Sequence, residues 1–323
     1  MIPDLRAPFP YFGGKRIIAG DVWERFGAVQ NYIEPFAGSM AVLLGRPHEC
    51  FPDTGYAETV NDMDGFLCNF WRALAADAEG VAHHADCPVS ELDLHARHGW
   101  LLNHGAPIVE RLREDPDFYD VRIAGWWVWG ISQWIGSGWC GRASKQLPKL
   151  TTGGEGIHRA SYTKLPHLGH NGKGVHRPTV SLHEYLAGLS MRLRHTRVCC
   201  GDWKRVVTDG AMVFGNRIGV FLDPPYTMAG RDDVYNHDTC DLYPEILDWC
   251  RRYEGDSRIK IALCGYMDDF AMPGWTPYRW TAGSSWLSRS DTRNSENRKN
   301  EVVYFSPSCV TSQISLFQTV SFP

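Results

Sequence analysis

The first eighty residues alternate between short strand-like runs and longer helix-like ones. Pro8–Lys15 is aromatic and glycine-rich and reads as a loop, with a helix predicted near Arg16–Phe26. Asn31–Phe36 predicts a strand that runs into a turn at Ala37-Gly38-Ser39. A helix is expected next, with Met40, Val42, Leu43 and Leu44 partly buried. Glu58–Asn61 predicts a second strand and Gly65–Ala76 a second long helix. Strand, glycine turn, helix, strand, helix is the opening of a doubly wound α/β sheet.

From about residue 81 to 194 this pattern breaks. His, Gly, Trp and Pro accumulate, and five of the thirteen tryptophans fall between Trp126 and Trp139. An inserted domain is expected there, with the tryptophan cluster serving as core. The alternation resumes at Ile218–Leu222, a strand that ends in Asp223-Pro224-Pro225-Tyr226. Pro244–Tyr253 predicts a helix, Ile259–Cys264 a strand, and Glu301–Phe305 a late, antiparallel strand. The expected organisation is a discontinuous core domain, residues 1–80 and 195–307, an insert at 81–194 and a tail at 308–323.

A chain of 323 residues with 43% hydrophobic and 22% charged positions is ordinary for a globular protein with a sizeable core. No run approaches the roughly 18 apolar residues of a membrane span, and Met1-Ile2-Pro3-Asp4 does not open a secretory signal, so a cytoplasmic protein with no membrane partner is expected. Ten cysteines without a Cys-x-x-Cys pair are expected to be reduced, buried thiols. His95/His98 and His167/His170 lack completing ligands, so no metal is expected. A monomer is the default. The net charge of −4 hides a local bias, because residues 142 to 178 hold seven Lys/Arg against the single acid Glu155. A phosphate backbone responds to such a patch rather than to the sum.

Three segments carry candidate chemistry. Tyr32-Ile33-Glu34-Pro35-Phe36-Ala37-Gly38-Ser39 is a strand entering a tight glycine turn, which brings backbone N–H groups toward a ligand. Asn61-Asp62-Met63-Asp64 ends the next strand, where a carboxylate accepts from ribose hydroxyls, or equally caps the following helix. Asp223-Pro224-Pro225-Tyr226 must leave the sheet, since two prolines cannot continue a central strand. Asp223 and the Pro224 carbonyl can then accept the two hydrogens of an amine on a planar base, and Tyr226 can stack on its ring.

These segments, with Pro10-Tyr11-Phe12-Gly13-Gly14-Lys15, resemble the Dam-type (D12 class) adenine-N6 DNA methyltransferases in content and order. The likeness covers residues 8 to 80 and 218 to 226, and extends loosely to Glu301–Pro307. The family often has Gly or Ala where Met40 stands. The resemblance implies a mostly parallel Rossmann-like methyltransferase sheet with an inserted target-recognition domain. It implies an S-adenosylmethionine site built from Tyr11, Lys15, Glu34, Phe36, Gly38, Asp62 and Asp223. Asp62 would hold the ribose, and Lys15 would meet either the methionine carboxylate or Asp223. Asp223, Pro224 and Tyr226 would act on an adenine flipped out of double-stranded DNA, since its N6 is unreachable inside the stack.

The basic, glycine-containing stretch of the insert reads either as a phosphate-binding loop or as a solvated one, with Arg142, Lys145 and Arg159 as candidate DNA contacts. Arg289, Arg293, Arg298 and Lys299 form a second candidate. In the tail, Gln313-Ile314-Ser315-Leu316-Phe317 resembles the peptide by which bacterial proteins bind the DNA polymerase sliding clamp, with Gln313, Leu316 and Phe317 as anchors. The alternative is a strand packed on the enzyme itself. The setting expected is a bacterial cell or a phage-infected host. The same chemistry would serve cytosine N4 or an RNA adenine. A catalytically silent, clamp-tethered DNA-binding homologue would keep the fold without binding the cofactor. A protein-glutamine methyltransferase is disfavoured because that group carries Asn at the position of Asp223.

Overall fold

The computed structural model describes residues 5–9, 11, 15–105, 107–115, 117–134, 139–140, 181–225, 242–266, 271–280 and 301–309. Tyr226, the candidate DNA contacts Arg142, Lys145 and Arg159, the second basic segment and the tail peptide with Gln313, Leu316 and Phe317 lie outside them. No helix among the described residues is long and apolar enough to cross a membrane.

Among the described residues seven strands form one sheet in the order β3-β2-β1-β4-β5-β7-β6. They are β1 (Asn31–Glu34), β2 (Ala57–Asp62), β3 (Thr196–Cys200), β4 (Ile218–Leu222), β5 (Ile259–Tyr266), β6 (Thr276–Arg279) and β7 (Glu301–Phe305). The first five in chain order pair in parallel, while β7 runs antiparallel to both β5 and β6. The predicted doubly wound, mostly parallel architecture is therefore present, and the late strand is antiparallel as expected.

Two strands are additions to the sequence reading. β3 is a half-exposed edge strand, Thr-Arg-Val-Cys-Cys, that follows a helix after the two-residue turn Arg194-His195, which contains neither Gly nor Pro. β6 contains Pro277 and exposes most of its four residues. Edge strands that face solvent and tolerate proline leave little hydrophobic signature.

The central strands are covered on both sides, and their side chains alternate between two cores. Tyr32, Phe221, Ala262, Cys264, Val303 and Phe305 point to one face. Ile33, Val220, Leu222, Ile261, Leu263, Val302 and Tyr304 point to the other. This explains why β4 reads as a continuous apolar run rather than an alternating one.

The helices are α1 (Ala19–Phe26), α2 (Ala41–Leu44), α3 (Gly65–Ala76), α4 (Ala78–Ala85), α5 (Glu91–His104), α6 (Ile108–Glu114), α7 (Val121–Ile131), α8 (Leu182–Leu193) and α9 (Leu242–Tyr253). Side chains from α4 to α8 join the same buried cluster as α1 and α3. The tryptophan-rich segment packs there as core: Trp127 and Trp129 are fully buried, and the Trp139 indole N–H donates to Trp127 O at 3.1 Å. A Cβ on Gly130 would overlap the Trp139 ring, so the absence of a side chain there is what lets the indole close onto α7.

A buried ion cluster fastens α8 to the sheet. Glu58 of β2 is 0% exposed and accepts from Arg46 at 3.1 Å, from Arg192 of α8 at 2.7 and 3.0 Å, and from Thr196 at 3.0 Å. A buried carboxylate is tolerable only with partners on this scale.

Candidate active site

The chain runs outward from β1 through β2 to β3, then returns to β4 on the opposite side of β1. The carboxyl ends of β1 and β4 therefore flank the switch point of the sheet, where open α/β folds bind ligands. The register pairs Ile33 with Val220, so the segment that leaves β1 and the Asp223-Pro224 segment that leaves β4 emerge side by side at that edge.

The loop after β1 is held by Asp62. Its Oδ2 accepts the Gly38 N–H and its Oδ1 the Asp64 N–H, both at 2.9 Å. Asp64 in turn caps α3, accepting from the Phe66 and Leu67 N–H groups at 2.9 and 3.4 Å. The two roles open for Asp62 and Asp64 are thus divided: Asp64 caps the helix and Asp62 faces the glycine turn.

Gly38 has φ +46, and a Cβ there would come within 2.7 Å of the Tyr11 ring. Tyr11 therefore covers the turn only because residue 38 has no side chain. Met40 follows with φ 53 and ψ 33, a left-handed conformation that disfavours any Cβ, and it is 1% exposed.

Phe36 packs against Trp203, with ring centroids 5.9 Å apart. Trp203 follows β3, and among the described residues its buried indole N–H has no hydrogen-bond partner; the same holds for Asn61 Oδ1, while Asn61 Nδ2 donates to Pro35 O and Gly201 O. One unmatched donor and one unmatched acceptor thus stand near the carboxyl ends of β1 to β3, which fits a polar heterocyclic ligand. Trp203 was not singled out from sequence, because the strand that delivers it was not recognised.

Glu34 is 2% exposed and turned into the protein. Its Oε2 accepts from Tyr32 Oη at 3.0 Å and from the Leu43 N–H at 3.3 Å. Burial pushes its carboxyl up to about 8, with the nearby Asp223 charge contributing in the same direction. The side chain braces the loop between β1 and α2.

Lys15 is 4% exposed, and its Nζ lies 3.1 Å from Asp223 Oδ1 and 3.8 Å from Glu301 Oε2. Lys15 thus contacts Asp223, one of the two partners expected for it. The Trp280 ring centroid lies 5.4 Å from the ammonium. Cys264 of β5 adjoins Asp223 as well; burial pushes its thiol up, and the Asp223 charge adds to the effect. Asp223 is half-buried and Pro224 buried. Glu301, Trp280 and Cys264 were not identified from sequence, since a charged residue opening a strand and a buried Trp or Cys look like ordinary structural residues. Among the described residues no group of three His, Cys, Asp or Glu is arranged to hold a metal ion.

The mostly parallel seven-stranded sheet flanked by helices is consistent with a Rossmann-like methyltransferase fold. Residues 11–97 match the family model described as D12 class N6 adenine-specific DNA methyltransferase. The match bears out the resemblance read from the motifs and supports DNA adenine-N6 methylation as the class of activity. It spans Lys15, the Gly38 turn and Asp62 and ends before β4, so Asp223 and Glu301 stand outside it. No curated protein matches the chain.

Proposed function

We propose that the protein transfers a methyl group from S-adenosylmethionine to N6 of an adenine flipped out of double-stranded DNA at a specific sequence. The observation that carries this reading is the placement of Asp223. Its carboxylate stands at the switch point beside the Asp62–Gly38 loop and is paired with Lys15 at 3.1 Å.

S-adenosylmethionine supplies a methyl group already activated as a sulfonium. Asp62 and the backbone of the Gly38 turn would hold its ribose end, with Tyr11, Phe36 and Trp203 as walls; Glu34 serves by bracing the loop. Asp223 and the Pro224 carbonyl accept the two hydrogens of the target amine. Those contacts favour the positive charge that develops on nitrogen and direct its lone pair, so catalysis here is positioning and fixed electrostatics. Asp223 need not be a strong base, because the proton leaves after transfer. Tyr226, the expected stacking partner of the flipped base, lies just beyond the described residues.

Transfer of a labelled methyl group to defined duplexes, single strands and RNA tests this directly. Label recovered as N6-methyladenine from duplex DNA supports the proposal. Label on cytosine N4 or only on RNA replaces the substrate, and absence of cofactor binding would leave a silent homologue.

A further inference from the structure

Glu301 opens β7 and lies opposite Tyr266 of β5 in the antiparallel register. Its side chain is 11% exposed and reaches back to Lys15 at 3.8 Å. The backbone N–H of Trp280 donates to Glu301 O at 3.4 Å, and the Trp280 ring stands by the same ammonium. One buried cation therefore serves two carboxylates delivered by different strands: Asp223, which follows β4, and Glu301 of β7.

The chemistry of Asp223 depends on how that cation is shared. A lone Lys–Asp pair in a buried site would commit the carboxylate to the ammonium, leaving a weak acceptor for an incoming amine. A second carboxylate draws the ammonium toward itself. Glu34, by contrast, adds little charge at neutral pH, because burial pushes its carboxyl up to about 8.

We propose that Glu301 is a positioning residue for methyl transfer: it holds Lys15 between itself and Asp223, so that Asp223 stays fixed and oriented toward the target amine. This inference rests on the function proposed above. Glu301 acts through Lys15, whose ammonium it meets at 3.8 Å.

The test compares the parent with Glu301→Gln, which keeps the shape and removes the charge, in single-turnover methyl transfer to duplex DNA at saturating cofactor. Affinity for S-adenosylhomocysteine and melting temperature are measured beside it. The expected result is a rate lowered roughly ten- to a hundred-fold, less than the roughly 10²–10³ lost with a donor that meets the reacting atoms because Glu301 acts through Lys15, with S-adenosylhomocysteine affinity within about twofold and melting temperature preserved. Glu301→Asp, which restores the charge on a shorter arm, should recover part of the rate. An undiminished rate in Glu301→Gln overturns the proposal. So does a rate that falls only in step with binding and melting temperature, since that is a structural defect. Should Glu301→Gln not fold, Glu301→Asp decides: a rate lowered several-fold with binding intact supports the role, and an unchanged rate overturns it. A parent that transfers no methyl group to DNA ends the proposed function and this inference together, whereas an active parent with an indifferent Glu301→Gln removes Glu301 alone.

Discussion

Replacing Glu34 by Gln should make the protein progressively more stable than the parent as pH rises. Glu34 is enclosed at the end of β1, with both of its donors on Oε2. Burial is the main cause that pushes its carboxyl from an ordinary 4.5 to about 8, so the folded protein keeps a proton there that the unfolded chain loses. Between those two values the folded state binds more protons than the unfolded state. The contribution of Glu34 is therefore intact below the lower value and is lost as pH rises toward the upper one. Each pH unit in that window is worth about 1.4 kcal/mol, and a span of about 3.5 units sets a ceiling of about 5 kcal/mol. Gln accepts the same two hydrogen bonds and does not titrate. Urea unfolding of parent and Glu34→Gln at several pH values from about 5 to about 9 should show a gap that widens in favour of the variant and flattens above about pH 8. Parallel profiles would show that Glu34 is ionised in the folded protein and would refute the reasoning.

Met40 holds a left-handed conformation while almost fully buried. Met40→Ala should cost about 2–5 kcal/mol through lost packing, and Met40→Gly about 1 kcal/mol less than Ala despite removing more atoms, because only Gly adopts this backbone freely; thermal melts that rank Ala above Gly would contradict this. Gly38→Ala forces a Cβ toward the Tyr11 ring at a positive φ and should weaken S-adenosylmethionine binding by calorimetry at least tenfold, roughly 1.4 kcal/mol, while the rest of the fold persists. Glu58→Gln leaves Arg46 and Arg192 without their buried counter-charge and should lower unfolding free energy by about 3–5 kcal/mol in urea unfolding, whereas exchange of an exposed pair such as Lys204–Glu245 should leave stability nearly unchanged.

The parts of the fold legible in the sequence were those where burial imposes a pattern. β1, β2, β4, β5, β7, α3 and α9 each carry an apolar run or a clear helical face, and their predicted positions agree closely with the structure. Strands β3 and β6 escaped because an edge strand need not bury both faces, so Thr196–Cys200 and Thr276–Arg279 look like connecting segments. The site followed the same logic. Lys15, Gly38, Asp62 and Asp223 occur in motifs whose local constraint shows in the residue types themselves: a glycine turn, a carboxylate at a strand end, a double proline. Glu301, Trp280 and Trp203 reach the site only through the sheet order, which sets β7 next to β5 and β3 next to β2. No local spacing encodes those adjacencies. The sequence also left open whether Asp62 or Asp64 caps α3, and hydrogen-bond geometry assigns the cap to Asp64.

The central claim is that Asp223 directs methyl transfer to adenine N6. Mass spectrometry of nucleosides from the DNA of cells that express the parent or Asp223→Ala tests it most directly. The account predicts N6-methyladenine with the parent and none above background with the variant. Unmodified DNA in both, an adduct of another mass, or equal methylation by the variant would contradict it.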